Sequence, residues 1–483
     1  MGGFRWRRGL SLFAFAGLAA AALAVTGQTP EQGPAPATGG DVTTFGAVGD
    51  GAADDTAAIQ KAVDSGTGSI HFPKGIYRLS RPVVIDLDKV GFTSLSGDGT
   101  PRIVMAGAGP AFKFVGTHEG SAAPRTFKEN VWDRQRTPMV DGLEIVGAHP
   151  EAVGIEATGT MQLTVTRLVV RHALHGIHLT KRNRNVIISN CHIYENRGAG
   201  IFYDNLSLHQ SNIIGCHISY NDGGGVVCRG GDVRNIHIGT CDIEGNHSAE
   251  GEPTANVLID STDSPAGIGE VAIVGCTIQH NHTSPDSANI RILGKSGERN
   301  GEPVHEGHVT IADNVFSDVQ TNVHLKGCRG VTVVGNTFWM GFANDLVVEE
   351  SSNVVVGPNN LDRNPRYAYG DSLSARGGVI FRRSVDCTIT GLHINGSRDQ
   401  PAGLLIEDCR RFNVTGCTVL DCDGAGIWLK NVALSRLSDC LVRDDRPGRE
   451  QATSLRVTGG DGNQIVDNLL GGKSESDGGA AGN

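Results

Sequence analysis

Beyond residue 65 this chain has almost no segment in which apolar residues recur at helical spacing, and that excludes a mainly helical fold. After Val25 it has no apolar run long enough to cross a membrane, so no integral membrane domain is expected in the rest of the sequence. It has eleven cysteines but no CxxC spacing among them, which removes the usual pattern of a thiolate metal site. Positive charge is in deficit. Forty-two Lys and Arg face 52 Asp and Glu, a net charge of −10, which argues against nucleic acid as a general partner. No second composition regime appears along the 483 residues, so a single main domain is the economical reading.

What the chain does have is a repeat. Thirteen times an apolar residue, any residue and a second apolar residue recur, from Phe112/Phe114 and Ile155/Ala157 through Ile201/Tyr203, Val226/Cys228, Val257/Ile259 and Ile290/Ile292 to Leu455/Val457. After the first step the spacing is 22 to 33 residues. A period of that size marks a solenoid, in which each repeat stacks only on its neighbours. Alternation with period two makes the stacked units strands.

A second strand pattern lies between these, as in Asn190-Cys191-His192-Ile193 and Gly215-Cys216-His217-Ile218, each followed by an Asn at 196, 221, 246 or 281. Asn at one corner of successive coils can bond to its copies above and below, and it tolerates the αL backbone of a tight bend. With a third strand between, such as residues 185–189, each coil closes on itself. The expectation is a single-stranded right-handed parallel β-helix of about 13 coils. Glycine is abundant (67 residues), as a chain of tight bends requires. Cys191, Cys216, Cys241 and Cys276 take one inward position of successive coils, and Cys417 and Cys440 repeat it. A buried column of free thiols is favoured there over disulfides, although rungs about 4.8 Å apart would allow either.

The N-terminal part carries a resemblance. Phe45-Gly46-Ala47-Val48-Gly49-Asp50-Gly51, then Asp54-Asp55-Thr56-Ala57-Ala58-Ile59-Gln60, then Phe72-Pro73-Lys74-Gly75-Ile76-Tyr77 resembles the opening of the pectate-lyase-like superfamily, with its rhamnogalacturonase/epimerase-like motif. The resemblance covers residues 41 to about 470. It implies the β-helix fold and a polysaccharide partner, and it separates activities poorly. Asp54 or Asp55 reads as the N-cap of a short helix whose Ala58, Ile59 and Ala62 seal the end of the core, in preference to a catalytic pair.

Residues 1–27 read as a signal peptide: Arg5, Arg7 and Arg8 precede an apolar run to Val25, and Ala22-Leu23-Ala24 offers a small-x-small cleavage site. Export by the general route to the periplasm, cell surface or medium is therefore expected. Residues 28–40 read as a linker, 41–470 as the β-helix domain and 471–483 as a flexible tail.

Function is sought on the outer face of the first strand of each coil, where members of the superfamily bind polysaccharides. One outward row reads Thr180, Asp204, Arg229, Asp260, Leu293, Lys326, Glu349, Arg382, Glu407 and Lys430; the other reads His178, Phe202, Val227, Leu258, Arg291, His324, Val347, Ile380, Leu405 and Trp428. From Lys326 to Lys430 the alternating signs read as an ion-pair ladder. Longer turns at 115–137, 247–255, 282–288, 294–307 and 361–377 (the last with Tyr367 and Tyr369) would wall a groove. Its expected floor is Asp204, Arg229, Asp260, Arg291, His324 and Lys326.

Two chemistries suit that floor. Asp204 and Asp260, two rungs or about 9.6 Å apart, could be the acid and base of an inverting glycosidase, whose carboxyls stand about 6.5–9.5 Å apart. Alternatively Arg229, Arg291, His324 and Lys326 are the right types for β-elimination from a uronate. The superfamily's lyases hold Ca²⁺ on aspartates, so Ca²⁺ is the one cofactor foreseen, and only for a lyase. The polygalacturonase trio and the epimerase Asp-Pro-His motif are both missing, so no activity transfers residue by residue. Hydrolysis is slightly favoured. His175/His178 and His280/His282 read as solvated groups rather than metal ligands. The competing class is a non-catalytic carbohydrate-binding or surface protein presenting Val347, Ile380, Leu405 and Trp428 as an exposed stripe. That stripe would serve as a sugar platform, a seat for the tail or the interface of a homotrimer like the superfamily's tailspikes. Burial of that stripe beside a charged groove would favour an enzyme.

Overall fold

The computed structural model describes residues 40–120, 123–264, 266–299, 302–305, 307–363 and 372–477. The signal-peptide and linker segments before residue 40, Tyr367, Tyr369 and residues 478–483 lie outside them.

Each coil contributes three parallel strands, because a short apolar pair can bury only one face and must stack to bury it. In one coil the chain runs through Ile201–Ile214, bending at Asn205 and Gln210, then through His217–Ser219 before it re-enters the next coil at Val226–Arg229. The register is regular: Ile201 pairs with Val226, Val226 with Val257, and Val257 with Ile290. The third strands form their own 16-stranded sheet. Inward residues from all three strands of the coils fill one continuous core from Val42 to Val457.

The stack of first strands is longer than thirteen. Val83–Asp86 adds a rung below, with Val83 on Phe112 and Ile85 on Phe114. Lys473–Ser476, within the expected tail, adds one above by pairing with Thr453–Thr458. The apolar grammar fails at that last rung because its residues are all exposed.

The base of the solenoid is closed by the helix Thr56–Asp64, whose Ile59 and Ala62 are fully buried. Asp54 accepts from the Thr56 N–H (3.1 Å) and from the Thr56 and Ser80 hydroxyls. These bonds, the Ser80 hydroxyl first, hold its carboxyl down to about 2. Buried Asp55 binds the Val48 and Gly49 N–H groups. Both aspartates are structural.

The corner ladder exists, but its course differs from the sequence reading. Asn196 Nδ2 donates to Asn221 Oδ1 and Asn221 Nδ2 to Asn246 Oδ1, both at 2.7 Å. The ladder then passes to Asn256, Asn289 and Asn322 at 2.8 Å each, and ends on Asp345 Oδ1 at 3.0 Å. Asn281 is not a rung; it is exposed and caps its own turn through Thr283. The longer turn after Asn246 puts Asn256 inside its strand, directly before the inward Val257, where shorter coils carry Gly200 or Gly225. Nor does the αL bend fall on the ladder asparagines. It falls one residue earlier, on Glu195, Tyr220 and Gly245, so the asparagines serve through their amides alone.

All eleven cysteines are free and buried. The column of Cys191, Cys216, Cys241 and Cys276 continues as a second amide ladder, Asn314, Asn336 and Asn359, before Cys417 and Cys440 resume it.

Candidate active groove

The pairing places the two outward rows as the alternation requires. Asp204, Arg229 and Asp260 stand on consecutive rungs, then Leu293 and Lys326. Beside them run His178, Phe202, Val227, Leu258, Arg291 and His324.

The turns then divide what the register brings together. Val227 and Leu258 point outward yet are buried, in a small apolar cluster with Ala199, Ala255, Ala288 and Phe202. The segment after Asn246 folds over the strands here, pinned by a hydrogen bond of His247 Nε2 to the Ala288 carbonyl at 3.0 Å. Arg291 is only 6% exposed; its Nη2 bonds both the carboxylate (2.9 Å) and the carbonyl (2.8 Å) of Asp286 in the overlying turn. Arg291 is therefore a tie for the wall, not part of an open floor. His324 lies beside it and bonds Glu349 at 3.3 Å. Burial, and then the Arg291 charge, push the His324 imidazole below its usual range.

The open part of the floor is the row of Asp204, Arg229, Asp260 and Lys326, flanked at its start by the half-buried His178 and Phe202 of the other row. His178 Nε2 lies 3.0 Å from Asp204 Oδ2, and its ring stacks on Phe202 with centroids 5.3 Å apart. His175 packs against both rings and accepts from the Ala199 N–H through Nδ1 at 3.0 Å. Burial, and next His178, hold His175 down at about 4, so it is neutral at neutral pH. One rung on, Arg229 is exposed and, among the described residues, forms no ion pair. Asp260 turns to its own loop, with Oδ1 accepting from the Thr262 N–H (3.0 Å) and hydroxyl (2.6 Å). An Asp204–Arg229–Asp260 ion-pair ladder is thus not formed. Lys326 is exposed farther along.

His175, His178 and Phe202 are the members of this cluster that the expected floor omitted. His178 reads as a solvated outer-face histidine, His175 opens its strand two residues before the inward pair begins, and Phe202 reads as plain apolar.

Among the described residues no group of three His, Cys, Asp or Glu stands close enough to hold a metal ion. Asp204 and Asp260 do not fit a shared Ca²⁺, because a guanidinium occupies the rung between them and Asp260 faces its own turn.

The C-terminal charged row does form a ladder. Glu407 bonds Arg382 at 2.9 Å and Lys430 at 2.5 Å. The stripe beside it is not an exposed surface: Val347, Ile380 and Leu405 are 9, 8 and 4% exposed, and Trp428 lies under Lys430 and Arg456. The turn over 115–137 is fastened by a stack in which Arg136 lies on Trp132, Trp132 on Phe127, and Phe127 on Arg184.

Comparison with known proteins gives two matching family models. One, described as rhamnogalacturonase A/epimerase, pectate lyase-like, matches residues 40–135. The other, a right-handed beta helix region, matches 125–243, 152–298 and 305–470. A curated relative, the mannuronan C5-epimerase AlgE3 of Azotobacter vinelandii, is 54% identical over 44 residues, which span 8% of this chain and 2% of that protein. Similar solved structures include the A-module of Azotobacter vinelandii mannuronan C-5 epimerase AlgE4, at 14% identity and TM-score 0.41 over 90% of this chain and 95% of that one. Tailspike protein 3 of bacteriophage CBA120 shows 13% identity and TM-score 0.49 over 89% and 61%. The Streptococcus pneumoniae surface protein and adhesin PfbA shows 14% and 0.43 over 90% and 99%.

Proposed function

Since this chain belongs to the right-handed β-helix family of pectate-lyase-like proteins, we propose that it is an exported enzyme that cleaves a uronate-containing polysaccharide along the outer face of its first strands. The observation that carries the reading is the His178–Asp204 pair with the exposed, unpaired Arg229 on the next rung. With Nε2–H donated to Asp204, the imidazole lone pair is on Nδ1 and can take the proton from C5 of a uronate. Arg229 faces the uronate carboxylate, on which negative charge then builds. The electrons of the C5–H bond become the C4=C5 double bond as the C4–O bond breaks, and the departing oxygen keeps its pair and takes a proton from water. This order, elimination ahead of hydrolysis, reverses the one favoured from sequence. The reason is Asp260, whose Oδ1 is already engaged by Thr262.

Hydrolysis remains the second reading, carried by the spacing of Asp204 and Asp260 on one row. A homotrimeric assembly rests on the sequence resemblance alone and stays a proposal.

The test is incubation of the mature chain with acidic and neutral polysaccharides, following reducing ends and the near-ultraviolet absorbance of an unsaturated uronate. We expect both signals, and His178→Ala and Arg229→Ala to lower kcat/KM about 10²–10⁴-fold. Reducing ends alone would move the assignment to the aspartate pair. Neither signal across the panel would leave a binding or structural protein.

A further inference from the structure

The bend that leads from the third strand of each coil into the next first strand carries a column of αL residues: His172, Glu195, Tyr220, Gly245, His280 and Asp318. Gly245 interrupts a run of large side chains, and the gap opens a hollow of about 370 Å³. Tyr220, Asp222, Gly245, His247, His280 and Asn281 line it. The Tyr220 ring leans on Gly245 so closely that a Cβ there would stand 2.8 Å from two ring carbons. The ring is nevertheless 54% exposed, and nothing among the described residues stacks on its free face.

Two polar side chains beside this ring, Asp222 and His280, make no side-chain hydrogen bond among the described residues, although His280 stands within ion-pair distance of two carboxylates. Among the described residues the Asp222 carboxylate has neither a hydrogen bond nor an ion pair; its neighbour Arg197 spends its guanidinium on the carbonyls of His172, His149 and Pro150. His280 stays 4.0 Å from Glu244 and 3.8 Å from Asp318, beyond hydrogen-bond reach of either. His247, by contrast, has both ring nitrogens engaged, with Ala288 and Asn281, and is a fixed wall.

A flat aromatic face beside free hydrogen-bonding groups suits a pyranose, whose C–H face stacks while its hydroxyls bond at the edge. Three carboxylates, of Asp222, Glu244 and Asp318, outnumber the nearby guanidinium of Arg197, which is spent on backbone carbonyls, so the occupant is a neutral sugar rather than a uronate. The hollow lies at the beginning of the coils whose first strands end in Arg229 and Asp260. We propose that it is a second sugar-binding subsite for a neutral pyranose residue, which makes the substrate a heteropolysaccharide mixing neutral hexoses with uronates. This rests on the polysaccharide reading above, but not on which bond is cut.

The test is affinity electrophoresis of the mature chain in gels holding soluble mixed polymers of hexoses and uronates, or uronate homopolymers, with cleavage assayed separately. We expect retardation by at least one mixed polymer and a roughly tenfold loss of affinity in Tyr220→Ala. Asp222→Asn and Gly245→Asn, the latter pushing the Tyr220 ring off its seat with a residue that tolerates αL, should weaken binding likewise. None of the three should change cleavage of uronate-only fragments. Tyr220-dependent binding without cleavage keeps the subsite and removes the enzyme reading. Binding or cleavage of mixed polymers that is indifferent to all three substitutions overturns the subsite and leaves the enzyme reading standing. Failure to bind any polymer overturns both.

Discussion

Asp345 is a carboxylate placed where the six preceding rungs of its ladder carry an amide. It is fully buried, accepts from Asn322 Nδ2 at 3.0 Å and from the Gly378 N–H at 3.2 Å, and burial raises its pKa to about 6 from the usual 3.8. Among the described residues the neighbouring groups acting on it are these donors and the Gly341 N–H, all of which favour its ionised form and lose to burial. The sign follows from linkage. A carboxyl with a raised folded pKa holds its proton more tightly in the native state, so its contribution falls as pH climbs from about 4 to about 6 and is constant above that. The span is about 3 kcal/mol. Asp345→Asn removes this one titration. Denaturation midpoints of parent and variant, compared across that window, should diverge by a pH-dependent amount that levels off above about pH 6; a constant difference would show that Asp345 does not titrate there. The same residue marks a limit of sequence reading. Nothing local to Asp345 distinguishes it from any other Asp before an apolar run, and only the stacking reveals that it ends a ladder.

At the scale of the element, the coil was largely legible because its period-two alternation fixes inward and outward faces, and a slip of one residue would bury the charged row. Every rung pairing read along the first strand from Phe112 to Leu455 agrees with the observed register. The corners were less legible, since turn length varies there and alternation has no hold on it. Asn281 shows the failure plainly: like Asn246 it lies two residues past its strand and precedes a His, but it faces solvent. Two substitutions measure the difference. Asn221→Ala removes the acceptor of the Asn196 N–H and side-chain amide and the side-chain donor to the Ile193 carbonyl inside the protein, and leaves the Asn246 acceptor with the backbone N–H of residue 221 alone. It should cost about 2–5 kcal/mol in denaturant unfolding. Asn281→Ala loses only a surface turn and should stay within about 0.5 kcal/mol. Equal effects would mean that the ladder carries no special share of the stability.

For the whole molecule, the site was legible only in part, because a groove is made by walls as well as by a floor. Sequence places Arg291 and Asp204 on the same outward face, but the overlying turns bury the first and leave the second open, and those turns are long segments without periodicity. The thiols follow the opposite rule, since their inward position is set by the alternation itself. Eleven of them are spread from Cys191 to Cys440, all buried and none bridged, so their reactivity reports the integrity of most of the stack. A thiol reagent must reach a thiolate to react, and burial both blocks access and, at Cys328 and Cys387, pushes the thiol up to about 12. The native protein prepared without reductant should therefore titrate close to zero thiols, and the same protein in strong denaturant should titrate all eleven. Fewer than eleven after unfolding would mean that neighbouring rungs had been oxidised to disulfides, which their spacing of about 4.8 Å permits. Thiols reactive in the native state would mean that the coils open locally, as stacking with nearest neighbours alone allows when one interface is weak.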